Sequence, residues 1–519
     1  MIRQAIRTKG RMRQVSKVET VPAPIGGWNA RDSLANMEPS DAVTLENWFP
    51  TTTDCVIRGG QTDYATGIVG DVKTLAVHTA MDGTEQLFAV TDTDCYDASA
   101  SGAVTAQTWV DQDDGAYQWV NMGDGTSNWL LMFNGVDEPK YYNGSAWTEV
   151  DAVSTPALTG ITSTAAISPC VYHGRLILLE KDSLSFWYLP AGAVGGLAVE
   201  FDLSPFCNRG GYLMWAQTWT FDGGDGIDDY IVFMTSEGEA LVYTGTDPST
   251  AVKWAKVGTY FLGKPLGRRS FVQYGGDLLA ITQEGVFNMS EGLKYANINE
   301  RVAVTDKIKK AFNTAARQVG SNFGWQAIHY PLQNAILFNV PLSAQSEQYV
   351  VNTITGAWCN FKGWNTDVLC MYNDDLYYGG ATVVRKAWTG PSDDGAFIVA
   401  EAKTAFNNFG SASQNKRFPM FRPMLQVNGA LSYLTDIEID FNETDITGSA
   451  FYTPSTSGSW DSALWDSGTW QAGLSTIRRW SSPDASVGYY AAGKIKISTN
   501  TTEVHWVACD YIYETGGII

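Results

Sequence analysis

The sequence predicts an all-β protein in which a β-propeller of six or seven blades is followed by a sandwich-like β-domain, with one short inserted helix. Three observations support this prediction. The 519 residues include 19 Trp, 24 Tyr, 22 Phe and 51 Gly, a composition that favours short strands and tight turns. Hairpin-like segments recur through the middle of the chain. Beyond about residue 399 the apparent strands become longer and their apolar residues alternate.

The recurring segments each pair an apolar strand with an aromatic strand across a short polar turn. A four-stranded propeller blade takes roughly 40–50 residues, so each copy is expected to mark one blade. Chance hairpins in a sandwich are the alternative, as is a six-bladed ring with one copy outside it. A central apolar residue marks each copy, at steps of 40–57 residues: Leu87, Leu130, Ile177, Val232, Leu279, Ile336 and Leu376.

A helix is predicted near residues 305–319, where apolar residues recur at helical spacing. Thr305 is the expected N-cap and Gly320 the expected C′ residue. The polar face of the helix is basic, and Lys307 and Lys310 on it are candidate contacts with an acidic neighbouring subunit. A solvated face is the alternative interpretation. The apolar face is expected to contain Ile308, Ala311, Phe312, Ala315 and Val319.

These patterns divide the chain into four expected parts. They are a basic arm (1–22), an extended segment that leads into the propeller (23–68), the propeller (69–398) and the sandwich-like domain (399–519). Alternation in the last part is expected to place its isoleucines on one face and its charges on the other. A loop there has three tryptophans at five-residue spacing, which are candidate partner-binding residues unless ordinary burial accounts for them: Trp460, Trp465 and Trp470.

Charge is distributed unevenly. The net charge is −20, and the six basic residues among the first 17 leave the remainder at −26. An acidic body repels nucleic acid, whereas the arm could bind an acidic neighbour or DNA phosphates unless it is a frayed terminus. No apolar run predicts a membrane span, and no secretory signal is apparent, so synthesis in the cytoplasm is expected. The candidate binding residues of the arm are Arg3, Arg7, Arg11 and Arg13.

The sequence indicates no catalytic, cofactor or metal site. Its seven cysteines and four histidines are scattered without metal-ligand spacing, and no phosphate-binding or nucleophile motif occurs. One acidic segment, residues 222–229, could hold calcium, although its spacing differs from that of calcium loops and a solvated turn is the alternative. We therefore expect a protein that is not an enzyme.

The segment from Ala23 to Gly67 has a double glycine, an Asn-Trp-Phe step and an Arg-Gly-Gly turn. It resembles the opening of tail nozzle proteins, or tail tubular protein B, of short-tailed bacteriophages. The resemblance implies a virion protein, six copies of which form a ring at the distal end of the DNA channel. It also implies contacts with a tail adaptor ring and tail fibres, and passage of DNA without sequence-specific binding. The matching positions are Gly26, Gly27, Trp28, Asn47, Trp48, Phe49, Arg58, Gly59 and Gly60.

A second hypothesis is a carbohydrate-binding or glycan-depolymerising propeller of a tail spike or secreted enzyme, with the tryptophan loop as a sugar platform. A weak similarity to the Asp-box of sialidases at Asp466–Trp470 occurs once and lacks the expected hydroxyl residue. A WD-type scaffold is a third hypothesis, but the Gly-His and Trp-Asp marks do not occur at blade spacing.

Overall fold

A computed structural model describes residues 16–516, apart from 108, 110–111, 223–226, 291–302, 344, 443–445, 447, 453–473 and 483–485. Strands dominate these residues, which confirms the all-β fold. The chain forms two compact units: unit 1 contains the described residues of 1–57 and 397–519, and unit 2 contains residues 58–396. This division differs from the expected one, because the segment 23–68, which was expected to form a separate extended part before the propeller, is divided between the two units.

The N-terminal part of unit 1 contributes five short strands. The first of them covers the last residues of the expected basic arm. In chain order they are β1 (Ser16–Pro22), β2 (Gly27–Trp28), β3 (Asp41–Glu46), β4 (Trp48–Pro50) and β5 (Cys55–Ile57).

Unit 2 follows with 28 strands in its described residues. They are β6 (Gln61–Asp71), β7 (Thr74–Thr79), β8 (Glu85–Val90), β9 (Cys95–Asp97), β10 (Gly102–Ala103), β11 (Gln118–Gly123), β12 (Asn128–Phe133), β13 (Lys140–Tyr142), β14 (Trp147–Glu149), β15 (Leu158–Thr159), β16 (Ala166–Tyr172), β17 (Arg175–Glu180), β18 (Ser185–Tyr188), β19 (Gly196–Leu197), β20 (Val199–Asp202), β21 (Leu213–Asp222), β22 (Ile227–Thr235), β23 (Glu239–Gly245), β24 (Trp254–Phe261), β25 (Phe271–Tyr274), β26 (Asp277–Thr282), β27 (Gly285–Asn288), β28 (Gln326–Tyr330), β29 (Ala335–Val340), β30 (Glu347–Asn352), β31 (Trp358–Phe361), β32 (Val368–Tyr372) and β33 (Asp375–Ala387).

These strands form seven small sheets in which sequence neighbours pair antiparallel. The seven apolar residues that mark the repeats all lie in the second strand of a sheet, one per sheet, so the predicted hairpins are confirmed. A short parallel pair, β15 with β19, lies outside the seven. The sheets are sheet 1 (β7–β9), sheet 2 (β11–β14), sheet 3 (β16, β17, β18, β20), sheet 4 (β21–β24), sheet 5 (β25–β27), sheet 6 (β28–β31) and sheet 7 (β32, β33, β6, β10).

Neighbouring sheets pack against each other in sequence order. The first strand of sheet 1 contacts that of sheet 2, and the contacts continue to sheet 7, whose first strand contacts sheet 1 again. Clusters of buried apolar side chains fill the spaces between successive sheets from sheet 7 and sheet 1 through to sheets 4 and 5. No single hairpin could bury its apolar surface alone, so the sheets stabilise one another.

Sheet 7 is assembled from both ends of unit 2. Strand β6 precedes sheet 1 in the chain, yet it pairs antiparallel with β33, with Ala387 opposite Gln61 and Val383 opposite Thr66. Residues separated by more than 300 positions are thereby joined by backbone hydrogen bonds.

The expected helix is present as α1 (Lys309–Val319), after a 3₁₀ turn at Asp306–Ile308. Two details of the prediction were wrong. The Thr305 hydroxyl accepts the N–H of Val286 at 3.2 Å instead of capping the helix. Gly320 has a right-handed backbone (φ −62°), so it is not a left-handed C′ residue. No helix among the described residues is long and apolar enough to cross a membrane. The other 3₁₀ turns are Ser163–Ala165, Ser204–Phe206 and Pro331–Gln333.

The C-terminal part of unit 1 adds eight strands. Together with β1, β4 and β5, four of them make one sheet, in the order β38–β35–β41–β5–β4, with β1 also on β41 and β39 also on β35. A second sheet contains β3, β34, β40, β36 and β37 in that order, with β2 on β3. The eight strands are β34 (Ile398–Thr404), β35 (Lys416–Val427), β36 (Leu431–Ile439), β37 (Gly448–Tyr452), β38 (Ser475–Ile477), β39 (Ser486–Gly488), β40 (Ala491–Thr499) and β41 (Val504–Thr515).

The two sheets of unit 1 are in contact face to face. The N–H of Gly493 on β40 donates to the Tyr511 hydroxyl on β41 at 2.8 Å, and a Cβ on Gly493 would lie 2.6 Å from the Phe421 ring. On the inner face Ile437, Ile495 and Ile497 are buried, as the alternation predicts, whereas Ile439 is only partly buried.

Charged residues on the opposite face of the second sheet form ion pairs across its strands. Lys403 Nζ lies 3.0 Å from Glu438, and Lys496 Nζ lies 3.1 Å from Glu401. Lys494 Nζ is 3.5 Å from both glutamates. The Glu438 side chain is fully buried, so its charge is compensated by lysines rather than by solvent.

Candidate functional site

Most of the predicted partner-binding residues lie outside the described residues. This applies to Arg3, Arg7, Arg11 and Arg13 of the arm and to Trp460, Trp465 and Trp470 of the tryptophan loop. The structure therefore leaves their roles as predictions.

The described end of the arm is an edge strand. Residues Ser16–Pro22 pair with β41, Val21 is buried, and the Thr20 hydroxyl donates to Asp510 at 2.6 Å. These residues are tied to unit 1 by backbone hydrogen bonds, so this part of the arm is not a frayed terminus.

The two predicted lysines lie beside the helix. Lys310 is exposed in the first turn of α1, and Lys307 is partly buried in the preceding 3₁₀ turn. In the acidic segment 222–229, the described carboxylate of Asp229 accepts a hydrogen bond from the Thr220 hydroxyl at 3.1 Å.

The histidines have structural surroundings. No group of three or more metal-ligating side chains occurs among the described residues. Burial lowers the pKa of His329, which packs against a tyrosine. The histidine contacts are His78 Nε2 with Asn128 O (2.9 Å), the ring of His173 with Tyr172 (4.3 Å between centroids), the ring of His329 with Tyr274 (5.1 Å) and His505 Nδ1 with Asp54 (2.7 Å).

Two other sites in unit 2 each bring distant segments together around an arginine. The first is the junction, which we define as residues 58–61 together with residues 387–394. Gly60 donates to the carbonyl of Gly390 at 2.8 Å, and Thr389 donates to the carbonyl of Gly60 at 2.9 Å. The junction joins the first and last residues of unit 2 and continues the pairing of β6 with β33.

Arg58 is the buried centre of the junction. Its guanidinium forms two hydrogen bonds with the Asp393 carboxylate, at 2.9 and 2.7 Å, and also donates to the carbonyls of Gly59 (2.9 Å) and Lys362 (2.7 Å). The guanidinium carbon lies 4.9 Å from the Trp364 ring. All these contacts suit a planar guanidinium, which presents its donors as a fork.

The glycines after Arg58 are required by close packing. A Cβ on Gly59 would lie 2.6 Å from the Trp388 ring, and one on Gly60 would lie 1.8 Å from the carbonyl oxygen of Ser392. The Arg-Gly-Gly turn in the resemblance therefore has a physical explanation: the arginine binds a distant carboxylate, and the glycines allow the two segments to approach.

Other positions of the resemblance are also structural. A Cβ on Gly26 would lie 2.4 Å from the Asp41 carboxylate, and Gly27 has a left-handed backbone (φ 85°). Asn47 is also left-handed (φ 58°) and its side-chain amide donates to the carbonyl of Val399 at 2.8 Å. Trp48 is fully buried against another tryptophan of unit 1.

The second site is the Arg269 cluster, defined as Arg269, Lys73, Thr74, Tyr117 and Phe323. Each member lies just before or at the start of the first strand of its sheet, so the cluster joins sheets 5, 1, 2 and 6. The Arg269 guanidinium donates to the carbonyl of Lys73 (3.0 Å), the Thr74 hydroxyl (2.7 Å) and the carbonyl of Tyr117 (2.7 Å), and lies 5.1 Å from the Phe323 ring. Burial lowers the pKa of Arg269 to about 10.

A cavity of about 400 Å³ lies beside the Arg269 cluster. The neighbouring Arg268, just before sheet 5, lines it, and its guanidinium donates to the carbonyl of Asn134, directly after β12 of sheet 2, at 3.4 Å. Asp114, Tyr212 and Phe323 also line the space. Residues that precede the first strands of several sheets thus converge on one cavity, whose lining is both charged and apolar.

Sequence reasoning noted Arg58 only through the resemblance and missed Arg268 and Arg269. The available signal was a pair of adjacent arginines directly before an apolar strand in an acidic chain. The positions that surround them are up to about 200 residues away, so their convergence requires the tertiary structure.

No protein-family model and no curated protein matches the sequence. Among solved structures, the chain is similar to Raptor of Chaetomium thermophilum, with 11% identity and a TM-score of 0.39, over 65% of this chain and 29% of that chain. It is also similar to BBS1N in complex with ARL6DN, with 8% identity and a TM-score of 0.38, over 64% of this chain and 98% of that chain. The chain thus spans less than a third of the Raptor chain, and these likenesses do not assign it to a family.

Proposed function

We propose that this chain is a structural component of a bacteriophage tail, the nozzle ring that forms the distal DNA-conducting channel. The observation that carries the proposal is the N-terminal motif, whose glycines, Asn47, Trp48 and Arg58 match the opening of tail nozzle proteins. Their contacts support a structural role, since they make turns, buried packing and the junction. In this proposal no residue performs chemistry.

We further propose that unit 2 is a seven-bladed β-propeller, with each of the seven sheets as one blade. Support comes from the contacts that run from sheet 1 to sheet 7 and return to sheet 1. Support also comes from sheet 7, where β6 pairs with β33 and so joins the two ends of the unit. Such a ring would be rigid, as a spacer in a tail must be.

The conduit in this proposal lies between copies of the chain. Arg269 bridges sheet 5 to sheets 1 and 2, and the space beside it is a cavity of about 400 Å³, which is far too small for a DNA duplex. A homo-oligomeric ring, expected to be hexameric, would instead surround the DNA. The net charge of −20 would repel phosphates and let DNA slide without specific binding.

Partners in this proposal are the tail adaptor ring and the tail fibres, and the location is the virion tail after synthesis in the host cytoplasm. Co-expression with portal and adaptor proteins encoded beside this chain, followed by electron microscopy of the purified complex, tests the assembly. We expect the chain alone to be monomeric or weakly associated, and to form a closed ring on the adaptor. Failure to associate with any portal or adaptor protein would contradict the proposal.

The carbohydrate-binding or glycan-depolymerising propeller is the competing class, and one assay separates it from the nozzle. Specific binding on a glycan array, or degradation of a capsule by the purified chain, would favour it. The nozzle proposal predicts neither result.

A further inference from the structure

The cavity beside the Arg269 cluster contains a guanidinium with most of its donors unused. Arg268 makes one long hydrogen bond, 3.4 Å from Nη1 to the carbonyl of Asn134, and has no further hydrogen bond or ion pair among the described residues. Arginine has five N–H donors, so four remain for an occupant of the cavity. An arginine held in a cavity with free donors is suited to binding an oxyanion.

No carboxylate among the described residues forms a salt bridge with the arginines of this cavity. Arg269, next in the chain, is bound only by neutral oxygen atoms, and neither arginine has an ion pair within 4.0 Å in the described part of the chain. Asp114 lines the same cavity, and its charge, with those of Asp182 and Asp367, acts on the arginines from beyond salt-bridge distance. Because no salt bridge engages either guanidinium, an incoming oxyanion would have no bound carboxylate to displace.

The rest of the wall is partly apolar. Phe323, Met214 and Leu266 line the cavity, and Phe323 keeps 39% of its surface exposed. A volume of about 400 Å³ falls within the range of small-molecule sites. The wall could therefore hold an aromatic or aliphatic body next to the charged group.

We propose that this cavity binds a small organic oxyanion, a carboxylate or phosphate group attached to an apolar body. Arg268 holds the anionic group through its free donors, and Phe323 and Met214 contact the apolar body. This inference goes beyond the tail role and does not depend on it, because it rests only on contacts within unit 2.

Calorimetric titration of the full chain tests the proposal with five probes: benzoate, phenyl phosphate, acetate, inorganic phosphate and benzyl alcohol. We expect benzoate or phenyl phosphate to bind, and the stronger of the two identifies the anionic group. Acetate and inorganic phosphate lack the apolar body and should bind at least about tenfold more weakly. Benzyl alcohol lacks the charge and should not bind measurably. Absence of binding by both aromatic anions at millimolar concentration would overturn the proposal.

Variants locate the site. Arg268→Gln should weaken binding of the aromatic anion by about tenfold or more, because hydrogen bonds to a charged group are lost. Arg317→Gln, which removes an exposed arginine from α1, is the matched control and should leave the affinity within about twofold. Equal affinity of Arg268→Gln and the wild-type protein would place the ligand elsewhere and overturn the assignment.

A further variant, Asp114→Asn, should change the affinity for the aromatic anion in the opposite direction, and it leaves Arg268 intact. The amide oxygen can still accept the Ala116 N–H, so the turn is retained while a negative charge leaves the cavity wall. We expect binding of the aromatic anion to strengthen about two- to fivefold. Weaker binding by this variant would contradict an anion site. Thermal denaturation of each variant verifies that it is folded.

Discussion

The junction and the Arg269 cluster each join distant segments of unit 2 through an arginine, but the partners of the two arginines differ. Both bury an arginine where distant segments of unit 2 meet, and both satisfy its donors with backbone carbonyls. Arg58 also has a carboxylate partner, Asp393, whereas Arg269 has only neutral acceptors. Burial lowers the pKa of Arg269 to about 10, and the charges of Asp367 and Asp114, which form no salt bridge with it, offset only part of this effect.

This difference indicates what each site can do. At the junction the charges are paired and the glycines leave no free space, so the site can only hold two segments together. Beside the Arg269 cluster a cavity remains, and a second arginine faces it with free donors. The junction between the two ends of unit 2 is thus separate from the region where a ligand could bind.

The largest loss of stability is expected from breaking the buried ion pair between Arg58 and Asp393. Arg58→Ala leaves the Asp393 carboxylate without its partner and should lower the free energy of unfolding by about 3–5 kcal/mol, measured by urea denaturation. The control is Arg385→Ala, which breaks an ion pair with Asp63 in which both side chains are partly exposed. That change should cost less than about 1 kcal/mol. Similar losses in both variants would show that the junction has no special role.

Adding a Cβ at Gly60 tests whether the two segments of the junction pack closely. Gly60→Ala should lower the free energy of unfolding by about 3 kcal/mol, because its Cβ would overlap the backbone of Ser392. Gly276→Ala is a matched control, since its Cβ would meet only Thr220 O at 3.5 Å. If the two variants denature at the same urea concentration, the segments at the junction are not closely packed.

A smaller effect is expected at the Arg269 cluster. Arg269→Met leaves the carbonyls of Lys73 and Tyr117 without these donors but leaves no buried charge behind, so the loss should be about 2 kcal/mol. Arg269→Lys keeps the positive charge and should therefore lose less stability than Arg269→Met. A loss as large as that of Arg58→Ala would contradict the distinction between the two sites.

The smallest change in the free energy of unfolding at neutral pH is expected for Tyr117→Phe. The Tyr117 hydroxyl lies 3.4 Å from Asp137, a long hydrogen bond worth less than about 1 kcal/mol. Burial, with the Asp137 charge, raises the pKa of Tyr117 well above its ordinary value. The unfolded chain therefore loses this proton near pH 10 while the folded chain keeps it, so stability is full below about pH 10 and falls as the pH rises.

The tyrosine variant should remove that dependence on pH. Above about pH 10 its free energy of unfolding should fall less steeply than that of the wild-type protein, by up to about 1.4 kcal/mol per pH unit. Urea denaturation at about pH 8 and pH 11 measures the difference. Parallel curves for the two proteins would mean that Tyr117 is not the group that resists ionisation.

Local patterns were sufficient to predict the hairpins and the helix. Leu87, Ile177 and Val232 lie in buried second strands, as the repeat predicts, because a strand and its turn are encoded within about 20 residues. Thr305 failed as a cap because the Val286 N–H competes for its hydroxyl. This donor lies 19 residues earlier in the chain, so a local pattern around the helix does not reveal it.

The sequence by itself determined that the chain is a β-protein built from seven similar hairpins, since apolar alternation and turn residues act over short distances. Only the tertiary structure decided that β6 leaves the N-terminal segment to complete sheet 7, that Arg58 meets Asp393, and that Arg268 faces a cavity. These contacts join residues 134 to 335 positions apart, in segments that share no local sequence signal. Their partners are selected by the packing of whole sheets, which no single segment encodes.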